Sequence, residues 1–332
     1  MIESSVVKLL ENGEGRNMEM KNRDRINQLL EQLGQVLLDK PMVLEYLLAG
    51  FLAGGHVLIE DVPGVGKTSV AKAFAASLGL KFGRIQFTPD LLPGDITGTT
   101  ILDPATSRFF FRKGPVFNQI VLADEINRSS PKTQSSLLQA MEEREVSFDD
   151  QTYLLPIPFM VIATQNPVEY QGTFPLPEAQ LDRFLMCLKI GYPGYLKELD
   201  IAAARQRTAA QLQALVTEDE LLELFQNVAA LVVAPEILQY AVNITTATRA
   251  NPDFVLGASP RASMDLVKAG RALAYIRQRD YVIPDDIKEL APWILGHRLI
   301  LSAEARMEKK DVYRIITQLL KQVHVPKNIS LA

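Results

Sequence analysis

The apolar positions of this chain change rhythm along its length. Ile26, Leu29, Leu30, Leu33, Val36 and Leu37 recur at three- and four-residue spacing, which predicts an amphipathic helix. Pro41 opens a second helix through about Ala53. Val57 to Ile59 is an all-apolar run, predicted as a buried strand, and a helix follows over 69–78. Similar runs at 119–123, 159–163 and 185–190 predict further buried strands, and 131–143 a helix with Leu137, Leu138 and Met141 inside. Segments 99–102 and 108–112 flank the turn Asp103 to Thr106, and 146–148 and 152–155 flank Asp149-Asp150-Gln151, predicting two hairpins. Glycines and prolines between Gly79 and Gly98 predict an irregular stretch. After Gly191-Tyr192-Pro193-Gly194 the strand signals stop. Helices are predicted over 196–214, 218–229, 235–249, 260–278, 284–291 and 311–323, with Ser259 a candidate N-cap. Strands alternating with helices imply an α/β, doubly wound parallel sheet in a core over 23–194, followed by an all-helical C-terminal domain over 195–332. No internal repeat is evident.

Residues 1–22 stand apart. Asn12 to Arg16 lack apolar periodicity, which predicts a disordered tail. Gly13 to Arg16 can be encoded by purines alone, as a bacterial ribosome-binding site would be, so the native start is expected at Met18 or Met20 rather than Met1. The 332 residues carry a net charge of −4 and no long basic block, which weakly disfavours sequence-independent nucleic-acid binding. The single cysteine, Cys187, lies in an apolar run and reads as a core filler in a reducing compartment. No signal peptide is evident. The most membrane-like stretch has an uncharged centre, Tyr46 to Gly55, far shorter than the roughly 20 residues a spanning helix needs. A soluble cytoplasmic protein without membrane insertion is expected.

The chemistry concentrates at strand ends. The loop Asp61, Val62, Pro63, Gly64, Val65, Gly66 and the helix start Lys67, Thr68, Ser69 read as a phosphate cradle, in which Lys67 reaches β/γ-phosphates and Thr68 binds Mg²⁺. Asp61 stands where the usual pattern has glycine, and an ordinary strand-to-helix turn is the alternative. Asp124 and Glu125 close the next strand, where one can hold Mg²⁺ and the other activate water; a solvated acidic turn is the alternative. Asn166 closes a third strand and could share that water, or simply form an Asx turn before Pro167. Arg183 and Arg261 could supply positive charge to a γ-phosphate or be plain surface arginines. Arg128 reads as a salt-bridge partner. His56, His297 and His324 have no metal spacing, and His56 reads as structural.

Taken together, GHVLIEDVPGVGKT at 55–68, ADEINRSSPKTQ at 123–134, ATQNP at 163–167, GTFPLPEAQLDRF at 172–184 and GASPRAS at 257–263 resemble the MoxR family of AAA+ ATPases over about residues 26–303. The resemblance implies a P-loop fold with a helical lid, ATP and Mg²⁺ as ligands, and Asp61 as a tolerated variation. It implies Lys67 and Thr68 as the phosphate-loop pair, and Asp124 and Glu125 as the Mg²⁺ and water-activating acids. Asn166 would then be the sensor-1 residue, Arg183 a finger reaching a neighbouring subunit, and Arg261 the sensor-2 arginine of the lid. The turn at 103–106 and the tip at 149–151 correspond to the two inserted hairpins of this AAA+ clade. An oligomer, expected to be a hexamer, would act like a chaperone on a protein client, with a von Willebrand factor A-type partner. Two departures stand out: the Val-Gly-Gln usual near the adenine site reads Leu-Leu-Asp-Lys-Pro at 37–41, and the 149–151 tip lacks its usual glycine. Rival readings are a nucleic-acid translocase, which Asp149-Asp150 argue against, a magnesium-chelatase-like subunit, and a non-hydrolysing binding module.

Overall fold

A computed structural model describes residues 13–62, 64–105, 107–149, 151–166, 172–203, 208–327 and 329. Helices α1 (Gly13–Gly34) and α2 (Pro41–Leu52) lead into β1 (Val57–Glu60) and α3 (Lys67–Ser77). Then come β2 (Phe82–Gln86), the short α4 (Pro93–Thr97), and a hairpin of β3 (Gly98–Asp103) and β4 (Arg108–Lys113). Next are β5 (Ile120–Asp124), α5 (Pro131–Glu143), the hairpin β6 (Glu145–Phe148) and β7 (Gln151–Leu154), β8 (Met160–Gln165), α6 (Glu178–Leu181) and β9 (Met186–Leu188). The C-terminal part comprises α7 (Tyr195–Ala202), α8 (Glu218–Ala230), α9 (Pro235–Ala250), β10 (Phe254–Leu256), α10 (Pro260–Ile276), α11 (Pro284–Leu295), β11 (Ile300–Leu301), α12 (Ala303–Met307) and α13 (Val312–Gln322).

Five parallel strands form the central sheet in the order β2-β5-β8-β1-β9. Successive side chains of a strand face opposite ways, and both faces are covered. Val57 and Ile59, Ile120 and Leu122, and Met160 and Ile162 join one apolar cluster with α1, α2, α3 and the lid helices. Leu58, Val121, Ala123, Val161, Ala163 and Cys187 face the other cluster, around Leu137, Leu138 and Phe184. This is why the strands read as continuous apolar runs. Cys187 is buried as a core filler, and burial pushes its thiol pKa up. The two hairpins lie outside the sheet and meet through Phe111, whose ring lies 4.5 Å from Tyr153 and 5.0 Å from Phe148.

Four expectations need correction. Helix α1 begins at Gly13, so residues 13–22 are helical; Glu, Arg, Met and Lys are good helix formers and extend the turn anchored by Ile26, Leu29 and Leu33. Met18 and Met20 lie within it, while the rest of the expected tail, residues 1–12, lies outside the described residues. The stretch expected to be irregular contains β2, an edge strand that buries only Gly83 and Ile85 and so lacks an apolar run. The helix expected over 196–214 ends at Ala202, with a 3₁₀ turn at Ala209–Gln211 and residues 204–207 outside the described set. Strands do not stop at the lid, since β10 and β11 pair antiparallel.

Thr106, Asp150 and Pro167 also lie outside the described residues. Asp149 takes φ +51°, the left-handed conformation for which the missing tip glycine would be suited, and aspartate tolerates it. No described helix is long and apolar enough to cross a membrane.

Candidate functional site

The carboxyl ends of β1, β5 and β8 converge. Gly64 and Gly66 adopt φ +86° and +88°, and a Cβ added at either would meet no neighbour within 4 Å. Glycine is needed here for the left-handed backbone, not for room. The loop turns directly into α3, whose first N–H groups have no intrahelical partners and favour an anion. Lys67 Nζ donates to the Asp61 carbonyl at 2.6 Å. Thr68 Oγ1 lies 3.5 Å from Asp124 Oδ2. Ser69 lines the adjoining cavity with Val65, Gly66, Leu37, Lys40, Ile190 and Gly191. Pro63 lies outside the described residues.

Thr164, buried at the end of β8, organises the acids. Its hydroxyl donates to Asp124 Oδ1 at 2.7 Å and accepts Glu125 N–H at 2.9 Å. Glu125 sits at φ +57°, an unusual conformation for glutamate that turns its side chain out of the strand direction. Its Oε2 accepts from Gln86 Nε2 at 3.0 Å and Arg128 Nη1 at 3.1 Å, the latter being the salt bridge read from the sequence. Arg84 Nη2 reaches Asp124 Oδ2 at 2.7 Å. Asn166, also buried, follows β8 directly. Among the described residues no cluster of three or more His, Cys, Asp or Glu side chains could hold a metal alone. Thr68 and Asp124 fit Mg²⁺ as hard oxygen donors of the kind that complete a shell with substrate phosphates and water.

Arg183 and Arg261 are not part of this cluster. Arg183 Nη2 lies 2.8 Å from Glu142 Oε2 and Arg261 Nη1 3.6 Å from Glu142 Oε1. They line a cavity with Gly54, Gly55 and His56, at the amino end of β1. The resemblance makes Arg261 the sensor-2 arginine of the lid; in the structure it opens α10 of the lid and lies beside Arg183 on Glu142. The cause is a buried clamp. Arg298, 2% exposed at its side chain, contacts Asp265 Oδ2 at 2.6 Å, Asp182 Oδ1 at 3.4 Å and the Phe184 carbonyl at 2.7 Å. Ser259, expected as an N-cap, makes no cap bond and donates to Asp182 at 3.1 Å. The clamp thus ties the turn before Arg183 to the turn before Arg261.

The histidines here are structural. His56 Nδ1 accepts Val161 N–H at 2.9 Å while Nε2 faces the Met141 carbonyl at 3.2 Å, so the ring carries its proton on Nε2. Burial, then the Arg144 charge, pushes its pKa down to about 3. Burial and Arg298 do the same to His297.

Residues 56–186 match the profile of the ATPase family associated with various cellular activities, and residues 246–319 that of the AAA lid domain. Chaperone MoxR1 of Mycobacterium tuberculosis is 41% identical over 89% of this chain and 81% of its own length. The chain belongs to the MoxR family of AAA+ ATPases. A protein of Bacillus subtilis designated YeaC is 48% identical over 91% of this chain and 95% of its own. A crystal structure of a protein from Cytophaga hutchinsonii superposes with a TM-score of 0.89 at 38% identity, covering 96% of this chain and all of that one. The P-loop AAA+ fold with a helical lid follows from these matches and from the parallel sheet. Arg84, Gln86, Thr164, Glu142 and Arg298, which the structure gathers around the two ends of β1, are not singled out by the sequence pattern. A polar residue at the last buried position of a strand was the one available signal, and it points to Thr164.

Proposed function

We propose that this MoxR-family chain hydrolyses ATP with Mg²⁺ as a ring, expected to be hexameric, and acts like a chaperone in remodelling or maturing protein complexes. One observation carries the reading. The acids and phosphate-type loop sit at the carboxyl end of β1, while both candidate arginines sit at its amino end, ~13 Å away along a four-residue strand. Their own phosphates are out of reach, so a neighbouring copy is the natural recipient of both. Thr68 and Asp124 would hold Mg²⁺, which when bound would supply positive charge against the phosphates. Lys67 and the first N–H groups of α3 hold the polyphosphate. Glu125 takes the proton of the attacking water and Asn166 orients it. The neighbour's Arg183 and Arg261 exchange Glu142 for the γ-phosphate. The inserted hairpins would move against a protein client, and a von Willebrand factor A-type partner is the expected companion in the cytoplasm.

Mixed rings test this. Arg183→Ala and Lys67→Ala should each be inactive alone, and mixing them should restore turnover, because some interfaces then pair an intact loop with an intact arginine. Absence of any restoration would overturn the shared site. A second reading, nucleic-acid remodelling, is favoured by β4, where exposed Arg108, Arg112 and Lys113 flank Phe109, which is 73% exposed. Basic and aromatic groups together suit single strands. Salt-sensitive binding of a single-stranded oligonucleotide, lost in Arg108→Glu/Arg112→Glu, would favour that reading over a protein client.

A further inference from the structure

Asp61, which stands where the usual phosphate-loop pattern has glycine, and the Leu37–Pro41 run, which departs from the family pattern, meet on one short stretch of backbone. The Asp61 carboxylate accepts Ile190 N–H at 2.7 Å and Gly191 N–H at 2.5 Å through Oδ2, and Val62 N–H at 2.8 Å through Oδ1. Lys40 Nζ donates to the Tyr192 carbonyl at 2.9 Å. Ile190 and Gly191 form part of the wall of the cavity that Leu37, Val65 and Gly66 also line. An aspartate and a lysine therefore both hold residues 190–192, of which Ile190 and Gly191 line that cavity.

We propose that Asp61 is a positioning residue for the nucleotide base: it fixes the 190–191 wall of the base cavity and leaves the phosphates to the loop backbone. This rests on the ATPase reading. A carboxylate is the suitable group because it is an acceptor on both oxygens, and here Oδ2 faces two N–H donors just past the last paired residue of β9. A glycine at 61 would leave both donors without this acceptor. Nor does the loop need glycine there, since Asp61 is not among the residues with left-handed backbone. Lys67 meanwhile engages the backbone carbonyl of Asp61, which any residue supplies. The side chain at 61 is thus free to act on the base side.

The test uses full-length protein and calorimetric titration with ATPγS and, separately, inorganic tripolyphosphate, which has phosphates and no base. Asp61→Gly restores the common phosphate-loop pattern. It should nevertheless weaken ATPγS about tenfold, the size expected from losing charge-assisted hydrogen bonds that hold the wall, while tripolyphosphate changes by less than about twofold. Asp61→Asn, which keeps one acceptor oxygen, should fall between. Lys40→Met should give the same selective loss on a smaller scale, and it carries the comparison if Asp61→Gly fails to fold. Unchanged ATPγS affinity, or an equal loss for both ligands, would overturn the positioning role alone. Wild-type protein that binds neither ligand would overturn the ATPase reading and this inference with it.

Discussion

The two ends of β1 are built by different means. At the carboxyl end, backbone geometry sets the site: strands stop, Gly64 and Gly66 turn left-handed, α3 begins, and Asp124, Glu125 and Asn166 sit where the strands run out. At the amino end, side chains set it: Arg298 joins Asp182, Asp265 and the Phe184 carbonyl, and Glu142 gathers Arg183 and Arg261. The first arrangement is local and repeated strand by strand. The second spans core and lid. A change at the carboxyl end should therefore cost chemistry without stability, and a change in the amino-end clamp should cost both.

Glu125→Gln offers the largest contrast. The amide cannot take a proton, so turnover should fall by on the order of 10²–10⁴, the usual range for a general base. ATP affinity and melting temperature should stay near wild type, as Gln preserves the contacts with Gln86 and, in part, with Arg128. Turnover that persists would remove Glu125 from its role. At the other end, Arg298→Met leaves Asp265 buried without its cation. Breaking such a pair costs about 3–5 kcal/mol, to be read in urea unfolding. The same variant should also lose the ability to rescue Arg183→Ala subunits in mixed rings. A stable Arg298→Met protein would show that the clamp does not hold the lid, and the contrast between the two ends would fail.

This contrast also explains what could be read in advance. Asp124, Glu125 and Asn166 were legible because an apolar run that stops at a polar residue is a strand end, and strand ends of a parallel sheet share one edge. The Lys67 loop was legible from glycine spacing and the following helix. Arg84 and Gln86 were not, because β2 is an edge strand whose alternate residues face solvent and whose Gly83 reads as a loop. The position of Arg261 was not legible either. It depends on Ser259 turning from its helix to Asp182, a bond between core and lid that no local pattern encodes. The N-terminal helix was misread for the converse reason: good helix formers extended a turn whose apolar anchors lay farther along.

The smallest effect concerns protons. His56 and His297 both lie at the amino-end side, and both have pKa values pushed from 6.5 down to about 3 by burial and by neighbouring arginines. The folded ring of His56 has a further reason to stay neutral: a proton on Nδ1 would point at the Val161 N–H that this nitrogen now accepts. The unfolded chain takes up protons as pH falls through 6.5 and the folded one does not. Stability is then fully present above pH 6.5 and is lost as pH falls toward 3, with a slope of up to about 1.4 kcal/mol per pH unit for each histidine. His56→Asn keeps an acceptor for Val161 and cannot titrate, so urea unfolding at pH 7.5 and 5.5 should show about half of the histidine-linked slope removed. The carboxyl-end variant Glu125→Gln should leave that slope untouched. An unchanged slope in His56→Asn would mean that the proton linkage lies elsewhere than at this end of the strand.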